Sequence, residues 1–93
     1  MNYSRTSDIQ VSLTPQFHKK FKKLDLQLKA EARIRIKEFA ENPDNPTLHA
    51  HPLNGNLKGV YSFSVNYKIR VLYQYLSNTE VALLTIGSHD IYK

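Results

Sequence analysis

Residues 67–86, YKIRVLYQYLSNTEVALLTI, decide the fold because they hold two strand patterns separated by a turn signal. Apolar side chains recur at every second position through residues 68–76, which is the period of a half-buried strand. The Ser77-Asn78 pair predicts a short turn. Residues 80–86 are apolar on both sides, and this pattern predicts a strand that is covered on both faces. The stretch therefore predicts a hairpin whose second strand lies in the middle of a sheet.

Two further strands complete the predicted sheet. Residues 60–65 alternate in the same way, and residues 8–13 form a shorter alternating run near the start of the chain. Two helical segments lie between these strands. The order βααβββ predicts a single α+β domain over residues 1–93, with two N-terminal helices packed on a small, largely antiparallel twisted sheet.

The helices are predicted from their caps and their composition. Thr14 is a helix cap followed by Pro15, and Asp25 caps a second helix over residues 26–40, which are rich in Leu, Ala, Lys, Arg and Glu. We expect both apolar stripes of the second helix to pack internally, although a partner-binding role for the second stripe stays open. The first stripe is Leu28, Ala32, Ile36 and Phe39, and the second is Leu26, Ala30 and Ile34.

The charge balance favours an anionic partner. The chain has 13 Lys and Arg against 8 Asp and Glu, and eight of the basic residues fall in residues 19–37. Nucleic acid is the first candidate, while a solvated helix face and an acidic protein partner account for the same charges. The absence of cysteine excludes disulfide and thiol chemistry. No apolar run approaches the length of a membrane span, so we expect a cytoplasmic protein without a membrane partner.

Histidines are the candidates for acid–base chemistry. His49 and His51 lie two residues apart in a predicted loop, and His89 follows the last strand. Histidine titrates near neutral pH and can act as a general acid or base, although loop histidines are often surface residues without a role. Three histidines can also bind a metal, but no helical pair and no acidic cluster completes a ligand set. We therefore expect no metal site.

Cationic and aromatic residues close to these histidines suit RNA binding. Arg70 alternates away from the apolar side of its strand, and its guanidinium can clamp a phosphate or form a salt bridge across the sheet. Lys58 precedes Gly59, and a glycine there either admits a ligand or marks a turn. Tyr92 offers an aromatic face for a base, or else it packs at the C-terminus.

Three sequence patterns point to a known family: HPLNGNLKG at residues 51–59, YKIRVLY at residues 67–73 and IGSHDIY at residues 86–92. Together they resemble the RelE/ParE superfamily of bacterial toxins, and the resemblance is closest to its YafQ-like branch. It implies a RelE-like fold and the toxin component of a type II toxin–antitoxin system. It also implies an mRNA interferase, a metal-independent endoribonuclease that needs no cofactor, cuts mRNA on the ribosome and is neutralised by a cognate antitoxin.

The resemblance also implies roles for individual residues. By position, His51 matches the family's loop histidine, Arg70 its phosphate-binding arginine, His89 its late catalytic residue and Tyr92 its terminal aromatic. Our hypothesis makes His51 the base and His89 the acid, and the sequence equally permits the exchange of these two roles. Arg70 and Lys58 would clamp the phosphate, and Tyr92 would stack on a base.

Three residues complete the predicted RNA-binding set: Lys58, Lys68 and His49. The chain departs from the YafQ-like branch at Ser64 and Lys68, where that branch has a histidine and an aspartate. Its spacing from His89 to Tyr92 is also one residue shorter than the corresponding spacing in that branch. Two other functions stay open, namely a ParE-like gyrase inhibitor, against which the histidines argue, and a non-catalytic basic RNA-binding module of the same fold. The cleavage hypothesis predicts that the four catalytic residues and Lys58 converge on one concave face of the sheet.

Overall fold

The computed structural model describes residues 8–88, which form five strands and two α-helices. The elements are β1 (Gln10–Leu13), α1 (Pro15–Lys22), α2 (Leu26–Glu41), β2 (His51–Pro52), β3 (Tyr61–Ser64), β4 (Arg70–Tyr75) and β5 (Glu80–Gly87), with 3₁₀ turns at Pro46–Leu48 and Gly55–Leu57. The strand order across the sheet is β1-β5-β4-β3-β2, with β1 parallel to β5 and all other neighbours antiparallel. The predicted α+β class is confirmed, and so is the central position of the last strand.

The predicted order βααβββ missed strand β2. His51 and Pro52 pair with Ser62 and Tyr61 at the edge of the sheet, whereas the sequence placed His51 in a loop. Two residues are too few to show an alternating pattern, and a proline lacks the N–H that a strand normally donates. The consequence is that His51 is held in register with β3 instead of lying in an irregular loop.

Side-chain caps fix where both helices begin. The Thr14 hydroxyl accepts a hydrogen bond from the Phe17 N–H at 3.1 Å and donates one to the Leu84 carbonyl at 2.9 Å, which ties α1 to β5. The Asp25 carboxylate accepts from the Leu28 N–H at 2.8 Å. Each cap satisfies an amide that has no partner within its helix, so both predicted caps are confirmed. In the described part of the chain, neither helix has the length and apolar character to span a bilayer.

Helix α2 packs on the sheet through its first apolar stripe. The fully buried Phe39 ring stacks on Phe63 with centroids 4.8 Å apart, and it meets Tyr73 edge-on at 4.7 Å. The expectation that the second stripe packs internally was wrong, because Leu26 is 83% exposed and Ile34 is 53% exposed. Helix α1 packs against β5 and does not cover the second stripe of α2. Helix α2 therefore buries only the face that lies on the sheet.

A β-bulge explains why β5 is apolar on both sides. The register with β4 shifts between Leu72 and Tyr73, and Leu84 is the extra residue on β5. An extra residue inverts the alternation of side chains, so the inward positions change parity along the strand. Strand β5 therefore contributes core residues on both sides of the bulge, and these are Val81, Leu83 and Ile86.

Candidate active site

A concave surface of about 600 Å³ lies where α2, the segment leading into β2 and the β3–β4 turn meet. We call this surface the cleft. It brings together three of the predicted site residues, His49, His51 and Arg70. Its lining carries two arginines and one glutamate, so the cleft is positive on balance. The other lining residues include four larger polar or aromatic side chains that the sequence did not single out, and the full set besides the three is Glu31, Arg35, Thr47, Ser64, Val65, Asn66 and Tyr67.

Strand register places His51 and Arg70 on the same face of the sheet. His51 lies opposite Ser62 and Arg70 lies opposite Ser64, on the two sides of β3. Residues two apart on a strand point to the same face, and directly paired residues share that face. Strand spacing and rise put their Cα atoms about 12 Å apart. Two long side chains at this separation can reach opposite ends of one ribose–phosphate unit.

Arg70 is held by the backbone of its own turn. Its Nη1 donates to the Asn66 carbonyl at 2.6 Å and to the Ile69 carbonyl at 3.3 Å. Among residues 8–88, no carboxylate forms an ion pair with Arg70, so the salt bridge considered from the sequence is not seen there. Its Nε and Nη2 groups make no hydrogen bond within the same residues. A half-buried guanidinium with donors that residues 8–88 leave unused is suited to binding an anion.

The backbone at His49 sets the tautomer of His51. His49 closes the first 3₁₀ turn with a left-handed backbone, φ 51°, and its carbonyl lies 2.8 Å from His51 Nδ1. A carbonyl oxygen can only accept a hydrogen bond, so Nδ1 carries the proton. In the neutral imidazole the lone pair is then on Nε2. His51 is exposed, and its Nε2 is therefore available as a proton acceptor.

The residues that the sequence did not single out support the β3–β4 turn. The Asn66 side-chain amide donates to the Glu31 carboxylate at 2.9 Å, which ties the turn to α2. Arg35, one helical turn further along α2, donates from Nε to the Val65 carbonyl at 3.3 Å and pairs with Glu38 at 2.7 Å. Glu31 and Arg35 are four apart on one helix face, and this spacing was the one available signal in the sequence.

The two predicted lysines lie outside the cleft. Lys68 is on the β3–β4 turn and lines a smaller adjoining groove of about 310 Å³. Lys58 follows the second 3₁₀ turn, is exposed and does not line either concavity. The expectation that Lys58 converges on the same face as Arg70 was therefore wrong. A loop of eight residues separates β2 from β3, and its length carries Lys58 away from the strand register that aligns His51 and Arg70.

Two predicted catalytic residues, His89 and Tyr92, lie outside the described residues. Strand β5 ends at Gly87, which pairs with Arg70. The described chain therefore ends next to Arg70. Among residues 8–88, no group of three His, Cys, Asp or Glu side chains is arranged to hold a metal ion.

The sequence model of one protein family matches residues 11–93, which is most of the chain. The family is described as the ParE-like toxin of type II bacterial toxin–antitoxin systems. This chain belongs to that family. The resemblance to RelE/ParE toxins is thereby confirmed, and the cleft is a feature of a toxin fold. A search of curated proteins found no match to this toxin.

Solved structures show where the fold of this ParE-like toxin recurs. It is similar to YafQ from E. coli strain BL21(DE3), with a TM-score of 0.74, 18% identity and coverage of 90% of this chain and 97% of that one. It is also similar to the YoeB/ParE toxin from Agrobacterium tumefaciens, with a TM-score of 0.72, 15% identity and coverage of 87% and 99%. The toxin–antitoxin complex RelBE2 from Mycobacterium tuberculosis matches with a TM-score of 0.71, 21% identity and coverage of 88% and 99%. At these identities the likeness establishes the fold.

Proposed function

We propose that this toxin is a metal-independent endoribonuclease that cuts mRNA on the ribosome. The observation that carries the proposal is the presence of a proton acceptor, His51 Nε2, and an arginine without an ion-pair partner among residues 8–88 in one cleft. RNA supplies its own nucleophile, the 2′-hydroxyl. The protein then needs only a base for that hydroxyl, positive charge at the phosphate and an acid for the leaving oxygen.

His51 acts as the general base in this proposal. Its Nε2 takes the proton from the 2′-hydroxyl while the 2′-oxygen attacks the adjacent phosphorus. The hydrogen bond from Nδ1 to the His49 carbonyl stabilises the imidazolium that forms. A positioned general base contributes about 10²–10⁴-fold to the rate.

Arg70 stabilises the charge that develops on the phosphate oxygens. Two of its N–H groups are already directed to the carbonyls of its own turn, so the guanidinium is oriented before RNA binds. The remaining donors fit the planar geometry of two phosphate oxygens. Loss of one such donor typically lowers the rate about 10²–10³-fold.

His89 is the general acid, and this role rests on the family resemblance. It gives a proton to the leaving 5′-oxygen, so the products are a 2′,3′-cyclic phosphate and a 5′-hydroxyl end. Tyr92 stacks on a base beside the cut. His49 and Lys68 contact phosphates that flank it, while Lys58 lies outside the cleft and would contact RNA further along the strand.

A cognate antitoxin is the protein partner in this proposal. Solved structures similar to this toxin include the E. coli DinJ-YafQ toxin–antitoxin complex and the YoeB-YefM heterotetrameric complex from Staphylococcus aureus. We expect an antitoxin that blocks the cleft, no cofactor and a cytoplasmic site of action. A neighbouring reading frame for a short acidic protein supports this expectation, and its absence opposes it.

A gyrase inhibitor of the ParE type is the second candidate. Membership of the ParE-like toxin family favours it. Two assays on the purified toxin separate the candidates. The first maps mRNA ends after incubation with programmed ribosomes, in a chelator that removes transition metals but leaves the Mg²⁺ that ribosomes need. The second measures DNA supercoiling by gyrase.

The ribonuclease proposal predicts new mRNA ends and unchanged gyrase activity. Intact mRNA together with inhibited gyrase overturns it in favour of the second candidate. RNA binding that weakens steeply with salt but produces no new ends indicates a non-catalytic RNA-binding module.

A further inference from the structure

The β3–β4 turn, residues 65–69, is held rigidly by hydrogen bonds that do not involve the Tyr67 side chain. Asn66 Oδ1 accepts from the N–H groups of Lys68 and Ile69 at 2.8 Å each, and its amide donates to Glu31. The Val65 N–H donates to the Ile69 carbonyl at 2.9 Å. Backbone closure, a side-chain cap and a tie to α2 therefore fix the turn that presents Tyr67.

Tyr67 is 86% exposed on this turn. It lines both the cleft and the adjoining groove that contains Lys68. A single exposed aromatic residue is ordinary on a protein surface. Here the residue is fixed at the boundary between two polar concavities, one of which contains Arg70.

In the part of the chain that the structure describes, the rings of the other partly exposed tyrosines, Tyr61 and Tyr75, have partners. Tyr75 contacts the Tyr61 and Tyr73 rings, with centroids 5.4 and 6.0 Å apart, and Tyr61 stacks on Tyr73. Among residues 8–88, no aromatic ring or cation packs against the Tyr67 ring. Its faces are available to a ligand, and the rigid turn lowers the entropy lost when a ligand binds.

We propose that Tyr67 is a second stacking platform of the toxin, which binds a nucleobase of single-stranded RNA next to the phosphate held by Arg70. The inference rests on the proposed ribonuclease function and adds a base subsite on the β3–β4 turn. Every base has an aromatic face, so this subsite tolerates any base. The RNA strand then runs from the cleft past Tyr67, and the Lys68 ammonium lies in the adjoining groove for the next phosphate.

The test measures binding of an RNA that cannot be cut. The probe is a short mRNA with 2′-O-methyl riboses and 2-aminopurine, a base whose fluorescence falls on stacking, used free and on programmed ribosomes. Base–aromatic stacking predicts that Tyr67→Ala raises the Kd about 5- to 150-fold and removes the quenching. Tyr67→Phe and Tyr67→Trp keep a ring and remain within about twofold of wild type.

Leu76→Ala is the matched control, because Leu76 is a 60% exposed residue on the β4–β5 turn, at the other end of β4 from Tyr67. This variant and Tyr67→Ala both keep the thermal unfolding midpoint of the wild type. Equal binding and quenching by wild type and Tyr67→Ala overturn the inference. An equal loss in Tyr67→Phe overturns it too, because the hydroxyl and not the ring would then be responsible.

Two further outcomes separate this inference from the function on which it rests. Unchanged RNA binding by Tyr67→Ala, with weakened binding of the antitoxin, assigns Tyr67 to a protein interface and overturns the base subsite alone. Wild-type toxin that neither binds nor cuts RNA contradicts the ribonuclease proposal and the base subsite together.

Discussion

Replacement of Asn66 by alanine removes three hydrogen bonds from the β3–β4 turn. The lost bonds join its side chain to the Glu31 carboxylate at 2.9 Å and to the N–H groups of Lys68 and Ile69 at 2.8 Å each. A protein hydrogen bond contributes about 0.5–1.5 kcal/mol net. Lys68 is exposed, so in the variant water can replace the hydrogen bond to its N–H. The bonds to Glu31 and Ile69 therefore account for most of the expected loss of stability. We expect Asn66→Ala to lower the free energy of unfolding by about 2 kcal/mol.

The same substitution affects the cleft, because Arg70 Nη1 donates to the Asn66 carbonyl. A looser turn misplaces the guanidinium. Misplacement of a catalytic group by about 1 Å can cost 10²-fold in rate, so we expect mRNA cleavage to fall about 10- to 100-fold under conditions where the variant is folded.

Urea unfolding followed by circular dichroism measures the stability change, and end mapping on ribosomes measures cleavage. The control is Asn54→Ala, because the Asn54 side chain does not cap its 3₁₀ turn, and we expect a change within about 0.5 kcal/mol. A cycle with Glu31→Ala should show a coupling of about 1 kcal/mol. An Asn66→Ala variant as stable as the control would show that these hydrogen bonds do not stabilise the turn, and a destabilised variant that cleaves at the wild-type rate would show that the turn does not position Arg70.

Three further predictions concern the scaffold, and urea unfolding tests each of them. Phe39→Ala should cost about 3–5 kcal/mol because it empties a fully buried site, whereas Ile34→Ala on the exposed stripe should stay within about 0.5 kcal/mol. Asp25→Ala removes the cap of α2 and should cost about 0.5–2 kcal/mol. Burial raises the pKa of Tyr73 above its ordinary value of 10.0, so the phenol loses its proton at a lower pH in the unfolded chain than in the folded one. The contribution of this tyrosine to the free energy of unfolding is then constant below about pH 10 and falls above it by up to about 1.4 kcal/mol per pH unit. Tyr73→Phe should reduce that fall.

Local chemistry made most of the scaffold predictable. Thr14 and Asp25 cap their helices through hydrogen bonds to residues only three positions further along the chain. Contacts this local can be predicted from the sequence. The central place of β5 followed from its two apolar sides. Part of that apolar pattern comes from the bulge at Leu84, after which the alternate set of positions points into the core. The sequence pattern alone cannot distinguish a bulged strand from a strand that is covered on both faces, so the correct conclusion rested partly on the bulge.

Contacts distant in sequence were not predictable. Strand β2 exists because His51 and Pro52 pair with β3, and a segment of two residues is too short to show a strand pattern in the sequence. Ile34 was expected inside because its stripe is apolar, but the path of α1 leaves it exposed. The bond between Glu31 and Asn66 spans 35 residues, so the sequence showed a helix charge and a turn residue without the link between them.

The cleavage rates of His51→Ala and Arg70→Ala toxins decide whether the cleft is a ribonuclease site. The measurement is the single-turnover rate of mRNA cleavage on programmed ribosomes, with Lys37→Ala as a control that removes one positive charge from α2 outside the cleft. We expect losses of about 10²–10⁴-fold for His51→Ala and about 10²–10³-fold for Arg70→Ala, unfolding midpoints that show both variants folded, and a control near the wild-type rate. Folded His51→Ala and Arg70→Ala toxins that cut at the wild-type rate would show that neither residue takes part in cleavage.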